Sequence, residues 1–500
     1  MAHPRKSAAP TAAPDRGRSR ALAAVLSFLF PGLGQGYLGD RQATILFGLP
    51  ALVLVALVAL QLRDGVMHAF ERLLDPAMAV GALVAIVAFG VWRVLAVVNA
   101  GAGGGRTLLS RVTVVILVAV IGLSHGVGAW YAGAIVAADL RIFSGDPLDE
   151  IALEALNATA EPSNAPTAAP ISNGPPGSPG PGDSTAPTMT PSLPPGYEDV
   201  YDDEPIDEGE AVVPGARPDI DVQALKGLDD GLLNTLVVGI DWKPGRDHAL
   251  TDTMIVVSAN TTTGEVFMFS FPRDTADFPI FTGGRFQWRL NTFAKYARNH
   301  PELYPDGGMR ALADQIGYLL GIPIDYYASL NIPGFARVVD ALGGVTIQNQ
   351  FDLADPGFGD GFFLPAGEHR LDGATALQWV RSRHGPHNSD FARALRQQQM
   401  LVALRKEMTR PEHLLNLPSI VEAISQVLST DFPPSEIEEL VSIADRVADE
   451  PTGSWVFRYP DWAVHLYASQ TGGRSVQFLR LDKIAQLSID LFGDKSLYSR

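Results

Sequence analysis

Asp241 closes one apolar run, Asp252 opens the next, and the corner Pro272-Arg273-Asp274 follows a third. Two carboxylates and an arginine delivered to one place form a metal–phosphate site. Hard divalent cations take oxygen ligands, and a guanidinium pairs with phosphate oxygens. More arginines stand farther along. Arg381 and Arg383 are two positions apart, so in extended chain they point to one face. Two such cations repel unless an anion lies between them. Arg393 and Gln397 are one helical turn apart and share a face. A lone helix arginine is ordinarily a solvated one. The group Arg381, Arg383, Arg393 and Gln397 resists that reading, because four planar donors crowd into 17 residues of an acidic protein.

These residues need elements that bring them together. Leu232–Asp241, Asp252–Ser258 and Glu265–Ser270 read as three successive strands. In an antiparallel meander, the end of the first, the start of the second and the end of the third share one edge. Asp241, Asp252 and the Arg273-Asp274 corner meet there, although strand ends are polar in most proteins. Asp306–Leu320 reads as an amphipathic helix, and Ile322–Leu330 leads into another strand. Phe335–Leu342 is helical, ends at Gly343-Gly344, and gives way to a strand at Val345–Asn349. Leu371–Trp379 reads as a short helix, and Asn388-Ser389-Asp390 caps a helix through Glu407. Strands alternate with helices, so the class is α/β. Beyond residue 408, Pro418–Leu428, Pro434–Ala448 and Leu481–Phe492 look helical, with a strand near Trp455–Arg458 and no evident motif for chemistry.

The chain of 500 residues exceeds one ordinary domain, and its 46% hydrophobic content piles up before residue 140. Ala43–Leu62, Ala77–Ala100 and Val112–Trp130 are each long and apolar enough to cross a bilayer, with Arg93 placed to snorkel to an interface. Ala21–Leu38 is short and is broken by Pro31-Gly32-Leu33-Gly34-Gln35-Gly36. Arginines and a lysine in the first 20 residues, and Arg106 and Arg111 later, favour the cytoplasmic side. These assignments agree if Ala21–Leu38 is re-entrant or interfacial. The order is then a cytoplasmic tail over 1–20, a membrane region over 21–142 with three crossings, and everything later outside. Four crossings would place the large domain in the cytoplasm.

Residues 143–230 read as a disordered linker, Pro/Ser/Thr-rich and then acidic, with eight acids and no base over Glu198–Glu210. The net charge of −17 argues against a nucleic-acid partner, which calls for a basic footprint. There are no cysteines, so disulfides, thiol catalysis and cysteine–zinc sites are excluded.

The domain over 231–500 resembles the LytR–CpsA–Psr family of cell-wall glycopolymer ligases. The segments that carry the resemblance are LVVGID, TDTMIVVS, FSFPRDT, DGGMRALADQIGYLLGIPIDYYASLN, FARVVDALGGVTI, LPAGEHRLDGATALQWVRSRH and SDFARALRQQQ, in order over residues 234–402. The resemblance implies a mixed central sheet flanked by helices, in an extracytoplasmic domain behind a helical transmembrane region. It implies transfer of a glycan phosphate from a polyprenyl-pyrophosphate carrier to a hydroxyl of peptidoglycan, assisted by Mg²⁺. The family's metal-binding acids fall on Asp241 and Asp252. Its pyrophosphate-binding residues fall on Arg273, Arg381, Arg383, Arg393 and Gln397, with Asp274 beside the first. Arg289 stands where the family often has a basic residue, with Arg285 close enough to compete. The family's arginine before the second acid is replaced here by Ala249-Leu250, for which Arg246 is a substitute.

On this reading Arg273 and the other arginines neutralise charge on the leaving polyprenyl phosphate, and Asp241 or Asp274 deprotonates the acceptor. Two alternatives remain at this level: hydrolysis of the lipid pyrophosphate, and a non-catalytic wall-binding role. The lipid tail needs an apolar cavity. Tyr326-Tyr327 and Phe362-Phe363 are the aromatic candidates, although ordinary core residues explain them better.

Overall fold

The computed structural model describes residues 18–63, 72, 75–101, 108–143, 212–213, 231–241, 249–358, 361–386, 388–410, 412–413, 416–467 and 475–499. Most of the expected tail over 1–20, nearly all of the expected linker over 143–230, Arg106 and Arg246 lie outside the described residues. The chain divides into one unit made of the residues up to Asp139 together with Pro434–Glu438, and a larger one made of Leu140–Pro433 and Glu439–Arg500.

The N-terminal unit contains α1 (Arg20–Leu29), α2 (Leu33–Leu38), α3 (Arg41–Gln61), α4 (Pro76–Gly101) and α5 (Leu108–Ile142). Helices α3, α4 and α5 are long and apolar enough to cross a membrane. Pro31-Gly32 interrupts the segment before them, leaving helices of 10 and 6 residues. At about 1.5 Å per residue neither covers a hydrocarbon layer of about 30 Å. Polar contacts hold this short pair to α4. The buried Gln35 donates through Nε2 to the Ala96 carbonyl at 2.8 Å and to Asn99 Oδ1 at 3.2 Å, while its Oε1 accepts from the Ser27 hydroxyl at 2.8 Å. Arg93 donates to the Phe28 carbonyl at 2.7 Å and lies over the Phe28 ring, so its partner is α1. A side chain at Gly34 would meet the Ala23 carbonyl at 1.9 Å, which shows how closely α1 and α2 approach.

The strands of the larger unit that bear on the site are β1 (Leu232–Asp241), β2 (Leu250–Asn260), β3 (Val266–Ser270), β4 (Tyr326–Asn331), β5 (Val345–Asn349), β6 (Gly367–Leu371), β7 (Leu428–Thr430), β8 (Gly453–Val456), β9 (Ala463–Leu466) and β10 (Val476–Leu479). Its main helices are α6 (Gly308–Leu320), α7 (Ile332–Ala341), α8 (Gly373–Arg381), α9 (Asp390–Met408), α10 (Leu417–Ser425), α11 (Ile437–Arg446) and α12 (Leu481–Phe492). The central sheet is mixed, in the order β7-β4-β1-β2-β3-β8. Strands β1, β2 and β3 form the antiparallel meander; β4 joins β1 in parallel, and β8 joins β3 in parallel. The C-terminal ends of β1, β3, β4 and β8 therefore share one edge with the start of β2.

The main core lies on the face covered by α6 and α12, where Leu236, Phe269, Phe293, Leu312, Ile316 and Ile484 are buried. On the other face Ile255, Val266 and Met268 pack against Leu401 and Val402 of α9. A second core joins α7, α8 and α9 to the β5–β6 hairpin around the fully buried Trp379. Tyr327 and Phe362 belong to these cores, while Phe363 is exposed.

Three sequence expectations change. Leu371–Trp379 becomes Gly373–Arg381, so Arg381 is helical and not extended. Pro434–Ala448 divides into a 3₁₀ turn, Pro434–Glu436, followed by α11. Helix α6 begins at Gly308 and not Asp306, and its amphipathic pattern leaves no wet face, because every residue in it except Tyr318 is buried. Its polar residues are satisfied internally. Arg310 pairs with Asp314 at 2.7 Å and Asp431 at 3.1 Å, and donates to the Ile324 and Asp325 carbonyls. Asp431 in turn accepts from the Tyr327 N–H at 2.7 Å, so this cluster ties α6 to β4. Removing one member of a buried ion pair leaves a shielded charge and costs about 3–5 kcal/mol. Arg310→Met is expected to lower stability by roughly that amount. Chemical denaturation of the full chain in detergent measures it, and an unchanged midpoint would refute the assignment.

Candidate active site

The site starts from an irregularity in strand pairing. Asp241 faces Leu250 and Ile240 faces Thr251, but Gly239 faces Thr253. Strand β2 therefore carries one residue more than β1 at this point, and that residue is Asp252. A bulge of this kind re-aims the side chain it carries. Close backbone packing accompanies it, since a side chain at Gly239 would stand 2.9 Å from Thr253 Cβ. Arg273, just past β3, donates through Nη1 to Asp252 Oδ2 at 2.7 Å. The other Asp252 oxygen is shielded from water and accepts no hydrogen bond. Asp241 is buried, with its Oδ2 4.0 Å from Nη2 of Arg381.

Arg381 is the last residue of α8, and Arg383 follows the helix end at Ser382. Two buried side chains fix this segment. Asp355 accepts from the N–H groups of Arg383, His384 and Gly357 and from the Ser382 hydroxyl, at 2.7, 3.1, 2.8 and 3.0 Å. Burial opposes ionisation of Asp355, but these donors outweigh it and hold the carboxyl below its usual range. Arg396 braces the segment from α9, donating to the Trp379 carbonyl and Asn388 Oδ1 at 2.8 Å and to the Ser382 carbonyl. Burial, helped by neighbouring Arg393, lowers its pKa to about 10.

The expected cap opens α9: Ser389 Oγ accepts from the Ala392 N–H at 3.2 Å. Asp390 lies in the first turn, with Arg393 Nη2 3.4 Å from its Oδ1. Burial works against the charge on Asp390, yet Arg393, Arg273, Arg383 and Arg458 keep its carboxyl below the ordinary value. Arg393 is pulled down by burial, with Arg273 and Arg383 acting in the same direction against the pull of Asp390 and Asp252. Gln397, one turn on, donates to the Val380 carbonyl at 3.4 Å.

Asp252, Arg273, Asp274, Arg289, Asp390, Arg393, Gln397 and Arg458 line a pocket of about 170 Å³. Asp241, Arg381 and Arg383 are not in its lining, but the ion-pair geometry ties Asp241 to Arg381, and charge coupling ties Arg383 to Asp390 and Arg393. Between the two basic candidates, Arg289 lines the pocket, whereas Arg285 pairs with Asp277 at 2.9 Å and does not. Asp274 is held on both oxygens by Gln477 Nε2, at 3.0 and 3.1 Å.

Arg458, Ser475 and Gln477 are the site residues that the sequence did not suggest. They come from a region that carries no motif: the pairing of β8 beside β3 brings in Arg458, and main-chain bonds of Gln477 in β10 to Asp274 and Ala276 bring in the other two. Elsewhere, Glu407, Glu412 and His413 could together hold a metal. Glu407 there is already engaged by Arg370 at 2.9 Å and Arg410 at 3.5 Å, so its charge is met without an ion.

The LytR_cpsA_psr family model matches residues 206–457. The chain is 32% identical over 208 residues to "Polyisoprenyl-teichoic acid--peptidoglycan teichoic acid transferase TagU" of Halalkalibacterium halodurans, covering 41% of this chain and 63% of that one. It is 33% identical over 224 residues to "Regulatory protein MsrR" of Staphylococcus aureus strain COL, covering 44% and 63%. The chain thus spans about 63% of the length of both relatives. Among solved structures, B. subtilis TagV matches at a TM-score of 0.40 and 22% identity, over 52% of this chain and 97% of that one.

The anchoring role of Asp355 has a pH signature. Its folded pKa is depressed, so its contribution is full above the unfolded value of about 3.9 and is lost as pH falls through the folded value. Asp355→Asn is expected to cost about 1–3 kcal/mol at neutral pH. The gap to the unaltered chain should shrink as pH drops below about 4. A gap of constant size across that range, in denaturation curves taken at a series of pH values, would count against an ionised anchor.

Proposed function

Since the chain belongs to the LytR_cpsA_psr family, we propose that it transfers a glycopolymer phosphate from a polyprenyl-pyrophosphate carrier to a hydroxyl of peptidoglycan. The observation that carries this reading is the double pairing at one sheet edge, Asp252 with Arg273 and Asp241 with Arg381, next to Arg383 and Arg393. Arginines in such number suit a substrate with several phosphate oxygens, because a planar guanidinium bonds them two at a time. The acceptor oxygen attacks the phosphorus nearest the sugar, the bond to the polyprenyl phosphate breaks, and the acceptor proton passes to a carboxylate. Arg273, Arg381, Arg383, Arg393 and Arg289 bind the pyrophosphate and offset the charge that builds on the leaving group, with Gln397 as a neutral donor. Asp241 and Asp274 are the candidate proton acceptors. Gln477 holds the latter in a fixed orientation.

The donor set suits Mg²⁺. Magnesium takes one or two carboxylates, with phosphate oxygens and water completing its shell. Asp241 and Asp252 supply two such groups, and one Asp252 oxygen is without a hydrogen bond. When bound, the ion would polarise phosphate oxygens.

The three apolar helices would anchor the chain in the cell membrane as a multi-pass protein, with the larger unit extracytoplasmic. The lipid tail would lie along the apolar side of a cavity of about 880 Å³ beside α9, formed by Ile347, Leu353, Phe391, Leu395 and Val402, while Glu368, Lys406, Glu407 and Arg410 line the rest. Of the aromatic candidates, Tyr327 and Phe362 are ordinary core residues, the reading preferred from the sequence.

The test incubates the full-length protein in detergent with a polyprenyl-pyrophosphate glycan and peptidoglycan fragments, following released lipid phosphate and attached glycan separately. Asp252→Ala and Arg381→Ala are each expected to reduce turnover by about a hundredfold or more. Equal turnover in both variants would sink the catalytic reading, and lipid phosphate released without attached glycan would assign hydrolysis instead. Chelation by EDTA is expected to abolish turnover and added Mg²⁺ to restore it; full activity in EDTA would remove the metal from the scheme.

A further inference from the structure

Arg458 stands one residue beyond the span of the family match. Its position follows from strand pairing. Strand β8 runs parallel to β3, with Val456 opposite Ser270, so the two chains leave the sheet at the same edge. Arg273 follows one strand end and Arg458 the other. The arrangement is rigid, because Trp455 stacks on Phe269 at 5.2 Å and the buried Phe457 stacks on it at 5.9 Å. The main chain is bonded on both sides of Arg458. The Phe457 N–H donates to the Ser270 carbonyl at 2.9 Å, and the Tyr459 N–H donates to Gln477 Oε1 at 2.9 Å.

The side chain lies over the Phe391 ring, 6.0 Å from its centroid, and lines the same pocket as Arg273 and Arg393. Its Nε and Nη1 are shielded from water and have no hydrogen-bond partner. A guanidinium does not shed its charge, and a shielded N–H is unfavourable until it meets an acceptor. Asp252 and Asp390 are already engaged by Arg273 and Arg393. The pocket therefore gathers several arginines, of which Arg458 keeps two shielded donors that no protein acceptor meets, and a multi-oxygen anion would satisfy them.

We propose that Arg458 is a further substrate-contacting residue, whose guanidinium donates to a phosphate oxygen held in the pocket with Arg273 and Arg393. The C-terminal segment then forms one wall of the substrate site. This rests on the reading of the pocket as a pyrophosphate site, and the test separates the two.

The full-length protein in detergent, its Arg458→Gln and Arg458→Lys variants and Arg381→Ala are titrated calorimetrically with inorganic pyrophosphate and assayed for lipid phosphate release. Losing a charge-assisted hydrogen bond should weaken pyrophosphate binding and raise KM by about tenfold to a hundredfold in Arg458→Gln. Arg458→Lys should recover part of the loss, since it keeps the charge without the fork. Thermal midpoints are expected to stay together. Unchanged binding and KM in Arg458→Gln, while Arg381→Ala is impaired, would overturn the role of Arg458 and leave the site reading standing. A lowered midpoint with no recovery in Arg458→Lys would assign a packing role and overturn it as well. If the unaltered chain binds no pyrophosphate, or Arg381→Ala is also unimpaired, the reading of the pocket itself falls.

Discussion

Guanidinium groups do not gather without something to hold them against mutual repulsion, and the edge that carries Asp241 and Asp252 gathers several. Arg273, Arg383, Arg393 and Arg458 all act on Asp390. Four cations on one carboxylate would spread apart on mobile loops. Here each is attached to something that does not yield: the end of β3, the end of α8, the first turns of α9 and the end of β8. Asp355 and Arg396 lock the helix end, and Gln477 locks the corner after Arg273. The sheet, its two cores and the buried supports are the means by which like charges are kept together.

The two polar clusters of this domain solve opposite problems. Around Arg310 one cation meets Asp314, Asp431 and two carbonyls, and its donors are satisfied within the protein. At the other cluster, Arg458 retains shielded donors that the protein does not satisfy. The first arrangement ties elements together, while the second leaves room for an outside anion. That contrast says more about function than the presence of buried charge, which the two share.

Much of this was legible in the residues. Three apolar runs ending or beginning in acids gave the meander, and the alternation of edges in a meander then brought Asp241, Asp252 and Arg273 together. The serine at 389 marked the start of α9. Other parts needed information that no local pattern holds. Arg381 and Arg383 looked alike in extended chain, but α8 runs two residues farther than its apolar pattern. Helix α6 carries polar residues among apolar ones and is buried except at Tyr318, because Arg310 and Asp314 satisfy one another. Arg458 was visible as the end of a strand. Its meaning depended on which strand it would pair with, a contact across roughly 190 residues that only the folded sheet decides.

The extra residue on β2 has a consequence for how such a chain can change over time. Opposite β1, a register without it would put each side chain of β2 on the alternate face from this point onward. Gain of a single residue between Asp252 and Thr253 would thus turn the acid from the arginine side of the sheet toward the other, with every residue type intact. Substitutions here erode the site gradually, whereas a one-codon length change would erase it in a single step. Variation in length should accumulate elsewhere in the chain and be purged at this short stretch.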